Sequence, residues 1–365
     1  MGVVAFLQMY EIMKETIHGI DFEIKEIPDP IEGTALDPRV YEYRKSQKEM
    51  TEAPGDDISF AEILRREPAY PNRDVTSIRI SKEKRKITTS NGDTDIFIFR
   101  PERGRIIKPA MIYFHGGAFV AGHTEVVENF CRLICEKADA VVIGVDYALA
   151  PEHPFPQGVN DCYETFLWAF NHAKELEIDA ENISVGGDSA GGTMAIDCCL
   201  LEREAHRAGK TDRYRISFEA LLYPAVLVND VRLADYRWKL SDYDLPMDDT
   251  LAMEAIFELK VLDSEIAKCY MGTSEKITDP LAAPLCQDSL EGLPRTLLAI
   301  CQWDYLRLSG EAFGRKLKES NVICRNLFYK GMDHGFVDKI GDCPQALDLA
   351  EEIAKEINRY EEKPV

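Results

Sequence analysis

The chain has 365 residues, of which 45% are hydrophobic, and a formal net charge of −21 at pH 7. A strongly acidic protein is repelled by nucleic acids and by anionic membranes, so neither is expected as a partner. No apolar run reaches the length of a membrane span and the apolar N-terminal stretch lacks a basic flank, so we expect neither a spanning helix nor a secretion signal.

From about residue 75 onward, short apolar runs alternate with helical patterns, which is typical of βαβ units and a mostly parallel sheet. The first two strands are predicted to form a hairpin, at Val75–Ile80 and Lys86–Phe99, with the second bent or split at the turn signal Asn91-Gly92-Asp93. The other strands are predicted at Ala110–Phe114, Ala140–Tyr147, Ile183–Gly186, Ser217–Tyr223, Thr296–Cys301 and Arg325–Lys330. Helices are predicted at Glu125–Lys137, Val159–Lys174, Thr193–Arg207, Ser309–Ser320 and Ala346–Tyr360. We therefore expect roughly eight strands, with a helix after most of the parallel ones.

Two regions fall outside this alternation. Residues 1 to about 70 are charged and mixed, with helix-like pieces but no strand pattern. Residues 229–275 interrupt the series between two strands and carry apolar residues at helical spacing, ending at Gly272. An insertion after the carboxyl end of a strand lies beside the ligand site of open α/β sheets, so we favour a lid over the site. Peripheral packing of the same helices is the alternative.

The ten cysteines are scattered along the chain and form no C-x-x-C pair. Several lie inside apolar runs, as Cys301 does, where a free cysteine behaves as a small hydrophobic residue. We therefore expect a reduced, cytoplasmic protein. The sequence contains no H-E-x-x-H motif and no Cys/His ligand cluster, so no metal is expected.

The pentapeptide Gly187-Asp188-Ser189-Ala190-Gly191 follows an apolar, strand-like run and precedes a helix-competent stretch. A serine on a sharp strand-to-helix turn needs small residues two positions before and after it, because a Cβ there would crowd the backbone. Such a turn exposes the Ser189 hydroxyl and directs the free N–H groups of the helix start toward its target. The pattern predicts a nucleophilic serine.

Paired glycines after an earlier strand are candidates for an oxyanion hole. They lie in the segment His115-Gly116-Gly117-Ala118-Phe119. Without a Cβ, the backbone N–H groups of Gly116 and Gly117 can approach a substrate, and Ala190 would add a third donor to a tetrahedral oxyanion. A plain glycine turn with His115 packed beneath it is the alternative.

A base and an acid are expected on late loops, because the usual order in this architecture is serine, acid, histidine. His334 follows the last predicted strand, whereas the other six histidines lie in early loops, in the glycine motif or in amphipathic and charged segments. Asp304 ends the preceding strand, where a carboxylate can accept from the imidazole Nδ1–H and fix its tautomer. Asp333 and Asp338 are nearer to His334 in sequence, but they share its loop and need not face its ring. Asp304 is therefore the predicted acid.

Taken together, five motifs resemble the hormone-sensitive-lipase-like family of α/β-hydrolase carboxylesterases. They match the order and spacing of that family over about residues 75–345, and they are His115–Phe119, Asp146–Glu152, Gly187–Gly192, Asp304–Arg307 and His334–Phe336. The resemblance implies an α/β-hydrolase fold, which is an α/β architecture with an eight-stranded, mostly parallel sheet flanked by helices and a helical cap. It assigns the cap to residues 1–70 and 229–275, and the hydrolase core to residues 71–228 and 276–365.

The resemblance also implies roles for single residues. Those that match the family motifs are Ser189 as nucleophile, Asp304 as acid, His334 as base, and Gly116, Gly117 and Ala190 as oxyanion donors. No cofactor or metal is implied.

The chain departs from the family pattern at three positions. Ala118 replaces a frequent third glycine, and Tyr305 occupies a place often held by proline. Ala148 stands where the family usually has the arginine of Tyr-Arg-Leu-Ala-Pro-Glu, so the Asp146–Glu152 loop lacks that cation. None of the three changes removes a reacting group.

The expected function is a serine carboxylesterase that hydrolyses short-chain acyl esters, acetyl esters among them, through a Ser-His-Asp triad and an acyl-enzyme. Amidases, arylformamidases and peptidases use the same fold and triad and stay open as alternatives. Plant gibberellin receptors also resemble this family but lack the catalytic histidine, so a non-catalytic ligand receptor is less favoured where His334 is present. The expected partner is a small-molecule ester. A homo-oligomer is compatible with the sequence, which carries no signal for oligomeric state.

Overall fold

A computed structural model describes residues 13–48, 58–67, 69–229, 231–246, 248–272 and 277–359. Within these ranges ten strands form one sheet: β1 Lys14–Ile17, β2 Ile20–Lys25, β3 Ile80–Thr89, β4 Gly92–Pro101, β5 Lys108–Phe114, β6 Val141–Asp146, β7 Ile178–Asp188, β8 Ile216–Leu222, β9 Arg295–Trp303 and β10 Cys324–Asp333. The helices of the same ranges are α1 Pro38–Lys48, α2 Phe60–Arg66, α3 Glu128–Ala138, α4 Gln157–Asn171, α5 Ala190–Arg207, α6 Thr250–Met271, α7 Arg307–Glu319 and α8 Pro344–Asn358. Short 3₁₀ turns lie at Leu240–Tyr243, Pro284–Cys286 and Phe336–Lys339.

The sheet is parallel through its centre and antiparallel at both margins. Its strand order is β1-β2-β10-β9-β8-β7-β5-β6-β4-β3, and every neighbouring pair from β2 to β6 in that order is parallel. All seven residues of β5 are buried, because helices cover both faces of a parallel sheet. The α/β-hydrolase fold predicted from the motifs is confirmed, and the central strands and helices lie within a few residues of their predicted bounds.

The predicted boundaries of the first hairpin are wrong. β3 and β4 pair over ten residues each, and Thr89 lies opposite Gly92, so Ser90 and Asn91 form the two-residue turn between the strands. The turn signal that was assigned to a bend within the second strand is thus the hairpin turn itself, with Gly92 at a φ of +123°. Charged residues fill the exposed middle of β3, which hides the strand pattern and blunts the sheet edge against further pairing.

The predicted strand number is also wrong, because two strands come from the N-terminal region where no strand pattern was found. β2 pairs in parallel with β10, and β1 pairs antiparallel with β2. Lys25 is buried between Asp348 and Glu352, at 2.8 and 3.0 Å, and Glu23 pairs with Arg325. These charges suggest a surface segment when the sequence is considered alone, but in the fold they are satisfied by partners on β10 and α8.

The insertion after β8 contains the helix predicted to end at Gly272. α6 runs for 22 residues, and Gly272 caps it with a φ of +57°. At its other end Asp249 accepts from the Ala252 N–H at 3.1 Å and from the Ala35 N–H at 2.6 Å. α6 packs against α1 and against β9 and β10, so the insertion and the N-terminal region meet over one end of the sheet.

Two global properties bear on the earlier expectations. All ten cysteines are unpaired, and seven of them are buried among other side chains. In the described ranges no helix is both long and apolar enough to cross a membrane.

Candidate active site

Ser189 lies at the turn between β7 and α5 in a strained backbone conformation, with φ +54° and ψ −119°. A Cβ on Gly191 would overlap the Phe114 carbonyl, and a Cβ on Gly187 would overlap the backbone of Gly191. The requirement for small residues on both sides of the serine therefore has a direct steric cause. The turn is held by β8, whose Leu222 carbonyl accepts from the Ser189 N–H at 2.9 Å.

The structure brings Ser189, His334 and Asp304 into one chain of hydrogen bonds. His334 Nε2 lies 2.9 Å from Ser189 Oγ, and His334 Nδ1 lies 2.7 Å from Asp304 Oδ2. The other oxygen of the fully buried Asp304 accepts from the Leu306 N–H at 2.9 Å. The acid follows β9 and the histidine follows β10, so neighbouring parallel strands deliver both loops to the same edge of the sheet.

The charges around His334 suit a proton acceptor. Burial lowers the pKa of its imidazole, but the negative charge of Asp304 and the hydrogen bond to it raise the pKa above its ordinary value of 6.5. The Tyr223 ring contacts the imidazole edge-on, with ring centroids 4.9 Å apart. The histidine is therefore oriented from one side by a carboxylate and from another by an aromatic ring.

The structure removes Gly116 from the set of three predicted free donors. The Gly116 N–H donates to Asp188 Oδ2 at 3.1 Å, and the Tyr113 hydroxyl donates to Asp188 Oδ1 at 3.0 Å. Elsewhere in the described chain no acceptor takes the N–H of Gly117 or of Ala190. Of the three predicted donors, the Gly116 N–H is thus engaged by Asp188, whereas the N–H groups of Gly117 and Ala190 have no protein acceptor in the described chain.

Asp188 is a residue of the candidate site to which the sequence analysis assigned no role. Burial raises its pKa to about 6, although hydrogen bonds and the nearby His334 oppose that shift. Its carboxyl group ties the glycine loop after β5 to the turn that carries Ser189. The sequence signal was an acidic residue directly before the nucleophile, but the sequence does not show that its strand lies next to β5.

His115 supports the glycine loop from beneath and is not a base. Its Nδ1 donates to the Gly116 carbonyl at 2.7 Å, and its ring stacks on Tyr147 with centroids 4.5 Å apart. Burial lowers the pKa of this imidazole. The alternative in which His115 packs under the turn is correct about this side chain, while Gly117 still presents a free N–H.

The structure shows the backbone conformation or the contacts of each position that departs from the family pattern. Ala118 has a φ of +55°, a conformation that favours glycine. The Tyr305 hydroxyl donates to Asp263 on α6 at 2.8 Å, so this substitution connects the acid loop to the insertion. The Ala148 N–H donates to Asp161 at 2.9 Å. Its side chain is uncharged, so it does not replace the arginine of the family pattern.

Comparisons with known proteins agree with the fold and with the motifs. A family model for the alpha/beta hydrolase fold matches residues 111–338. An arylesterase of Saccharolobus solfataricus is 29% identical over 255 residues, which cover 69% of this chain and 76% of that protein. Esterase LipI of Mycobacterium tuberculosis is 32% identical over 241 residues, which cover 66% of this chain and 69% of the relative. Among solved structures, an esterase of Pyrobaculum calidifontis superposes with a TM-score of 0.70 and 26% identity, covering 89% of this chain and 99% of that one.

The chain therefore belongs to the alpha/beta hydrolase fold family. Within that family it is a member of the hormone-sensitive-lipase-like group of carboxylic ester hydrolases, as the resemblance of its motifs implied.

Proposed function

We propose that the protein is a serine carboxylesterase in which Ser189, His334 and Asp304 form the catalytic triad, with short-chain acyl esters as its substrates. The observation that carries the proposal is the continuous hydrogen bonding from Asp304 through His334 to Ser189, beside two backbone donors. A nucleophile, a base, an orienting acid and an oxyanion site are the set of groups that acyl transfer needs.

In the proposed acylation step the Ser189 hydroxyl transfers its proton to His334 Nε2 while Oγ forms a bond to the ester carbonyl carbon. The carbonyl π electrons move to the oxygen, and the N–H groups of Gly117 and Ala190 stabilise the resulting oxyanion. Collapse of the tetrahedral intermediate breaks the bond to the alcohol oxygen, which leaves with the proton held by His334. Water then repeats the sequence on the acyl-enzyme and frees the acid.

We also propose that the N-terminal helices α1 and α2, together with residues 229–275, form a cap that shapes the substrate pocket. The cap predicted at residues 1–70 is too long, because β1 and β2 extend the sheet of the core. The side chain of Tyr270 on α6 supports the proposed cap, because its ring stacks on Phe119 of the glycine loop with centroids 3.8 Å apart. Phe155 adds a third ring at 5.7 Å from Tyr270. An aromatic cluster beside the oxyanion donors favours a confined site, and short acyl groups fit such a site best.

A cytoplasmic location is part of the proposal. Ten unpaired cysteines support it, because oxidising compartments convert such thiols into disulfides more readily than the cytosol does.

Replacement of Ser189 by Ala tests the nucleophile. The variant should lose turnover of 4-nitrophenyl acetate by about 10⁵-fold or more and keep its circular dichroism spectrum, because no other group replaces the nucleophile. Ser81→Ala, which changes an exposed serine on β3, is the matched control and should keep full activity. Retained hydrolysis in the Ser189 variant would exclude the proposed triad.

A series of 4-nitrophenyl esters from acetyl to long acyl chains should show kcat/KM falling as the chain lengthens. Matched anilides in the same assay separate an esterase from an amidase, and an anilide preference would reassign the activity. Stoichiometric labelling of Ser189 by an organophosphonate separates either enzyme from a receptor.

A further inference from the structure

A single arginine from the N-terminal region holds the loop that carries the oxyanion donor. Arg65, on α2, donates from Nε to the Val120 carbonyl at 2.9 Å and from Nη2 to the Ala150 carbonyl at 3.0 Å. Its two terminal nitrogens also bind Glu152 in a bidentate pair, at 2.7 and 2.6 Å. One guanidinium thus bridges two loops that are far apart in sequence.

The residues that carry these two carbonyls, Val120 and Ala150, also donate hydrogen bonds to the segment that contains Gly117. The N–H groups of Val120 and Ala121 donate to the Gly117 carbonyl at 3.0 and 2.8 Å, so the turn held by Arg65 closes on the donor residue itself. The Ala150 N–H donates to the Phe119 carbonyl at 2.9 Å and joins the second loop to the first. A shift at either carbonyl would therefore move the Gly117 N–H.

The loop is in a conformation that needs such support. Gly117, Ala118 and Phe119 have φ values of +123°, +55° and +63° in succession. For residues other than glycine this region costs about 1 kcal/mol or more each, so the turn persists only where its surroundings hold it. The hydrogen bonds from Arg65 to the two carbonyls are part of what holds it.

The packing around Arg65 is separate from the main core. Ala61 and Leu64 of α2 contact Val120, Ala150 and the half-buried side chain of Cys269 on α6. This apolar cluster contains few side chains. The hydrogen bonds of Arg65 are therefore the interactions that fix the position of α2 relative to the two loops. The Glu152 pair is less important, because the side chains are 33% and 55% exposed and surface ion pairs contribute little.

We propose that Arg65 is a positioning residue for the glycine loop that follows β5. Through this contact the N-terminal region takes part in transition-state stabilisation as well as covering the site. The inference rests on the proposed esterase function. It also accounts for Ala148, because the Asp146–Glu152 loop receives its cation from α2 instead of from its own sequence.

Arg65→Ala tests the inference by separating kcat from KM. Loss of an interaction that matters only in the transition state lowers kcat and kcat/KM equally. We expect kcat for 4-nitrophenyl acetate to fall about 30-fold, less than for complete loss of a donor, with KM within about twofold of the parent value. Affinity for a boronic acid that forms a tetrahedral serine adduct should fall by the same factor. Guanidinium ion added at millimolar concentration should restore part of the lost kcat.

Three further variants separate positioning from charge and from folding. Arg66→Ala alters the exposed neighbour of Arg65, whose pair with Glu62 is long at 3.8 Å, and should leave kcat unchanged. Glu152→Gln keeps both carbonyl contacts and should change kcat less than threefold. Arg65→Lys keeps the charge but loses the guanidinium fork, so it should lower kcat also, and it replaces the alanine variant if that one does not fold.

Organophosphonate labelling of Ser189 makes the two possible failures distinguishable. A parent protein with neither turnover nor labelling would refute the proposed function. An active parent whose Arg65→Ala and Arg65→Lys variants keep parental kcat and boronate affinity would overturn the role of Arg65. A rise in KM at constant kcat would also overturn it, because that result assigns Arg65 to substrate binding.

Discussion

At the scale of single residues, Asp304 determines both the tautomer and the protonation of His334. Its carboxylate accepts from Nδ1 at 2.7 Å, which leaves Nε2 free to accept the serine proton. The enzyme needs the neutral imidazole, so kcat/KM should rise with pH through the His334 pKa. Because Asp304 raises that pKa, the rising limb should lie above pH 6.5.

Asp304→Asn should lower kcat by about 10⁴-fold, since the amide stabilises the wrong tautomer and no longer stabilises the imidazolium. The loss of the negative charge should also move the remaining rising limb to lower pH, because burial then dominates the pKa of His334. A pH profile of kcat/KM measures both effects. A profile identical to that of the parent would show that Asp304 is not the partner of the base, and Asp333→Asn would then be the next variant to measure.

The same scale shows which site residues could be predicted from the sequence. Ser189, Asp304 and His334 stand in short motifs at the ends of strands, so local pattern and chain order were sufficient to select them. The engagement of Gly116 was not predictable, because its partner Asp188 is 72 residues away and only the pairing of β5 with β7 brings the two together.

At the scale of elements, burial decides how well the sequence predicts the structure. The central strands are continuous apolar runs, and their predicted positions are nearly correct. The strands that were missed or shifted are β1, β2 and β3, where charges are exposed or neutralised by distant partners such as Arg325 for Glu23. Period-two patterns are weak at sheet edges, and ion pairs over some 300 residues of separation leave no local signal.

The N-terminus of α6 connects the insertion after β8 to the N-terminal region. Asp249 is buried and accepts from Ala252 on its own helix and from Thr34 and Ala35 in the N-terminal region. Asp249→Ala should therefore lower the free energy of unfolding by about 2 kcal/mol, since it removes a helix cap and leaves a buried N–H without an acceptor.

Urea denaturation measures this change, with Asp248→Ala as the matched control at an exposed neighbouring position. The control should lose no more than about 0.5 kcal/mol. An equally small loss of unfolding free energy in both variants would show that Asp249 does not connect the insertion to the N-terminal region.

At the scale of the whole molecule, the glycine loop and the loops that carry Asp304 and His334 are each attached to a segment outside the α/β core. Arg65 binds the glycine loop. Arg44 on α1 binds Asp333, the residue before His334, at 2.8 Å. The Tyr243 hydroxyl donates to the backbone carbonyl of Asp304 at 2.9 Å. The segments that sequence analysis treated only as a cap therefore also position the groups that the proposed reaction uses.

The central claim is that Ser189 forms an acyl-enzyme, and rapid-quench kinetics with 4-nitrophenyl acetate tests it most directly. The account predicts a burst approaching one nitrophenolate per chain whenever deacylation is the slower step. Mass spectrometry of the quenched protein should place one acetyl group on the peptide that contains Ser189. Steady turnover with the acetyl group on another residue, or with no covalent adduct under conditions that give a burst, would contradict the account.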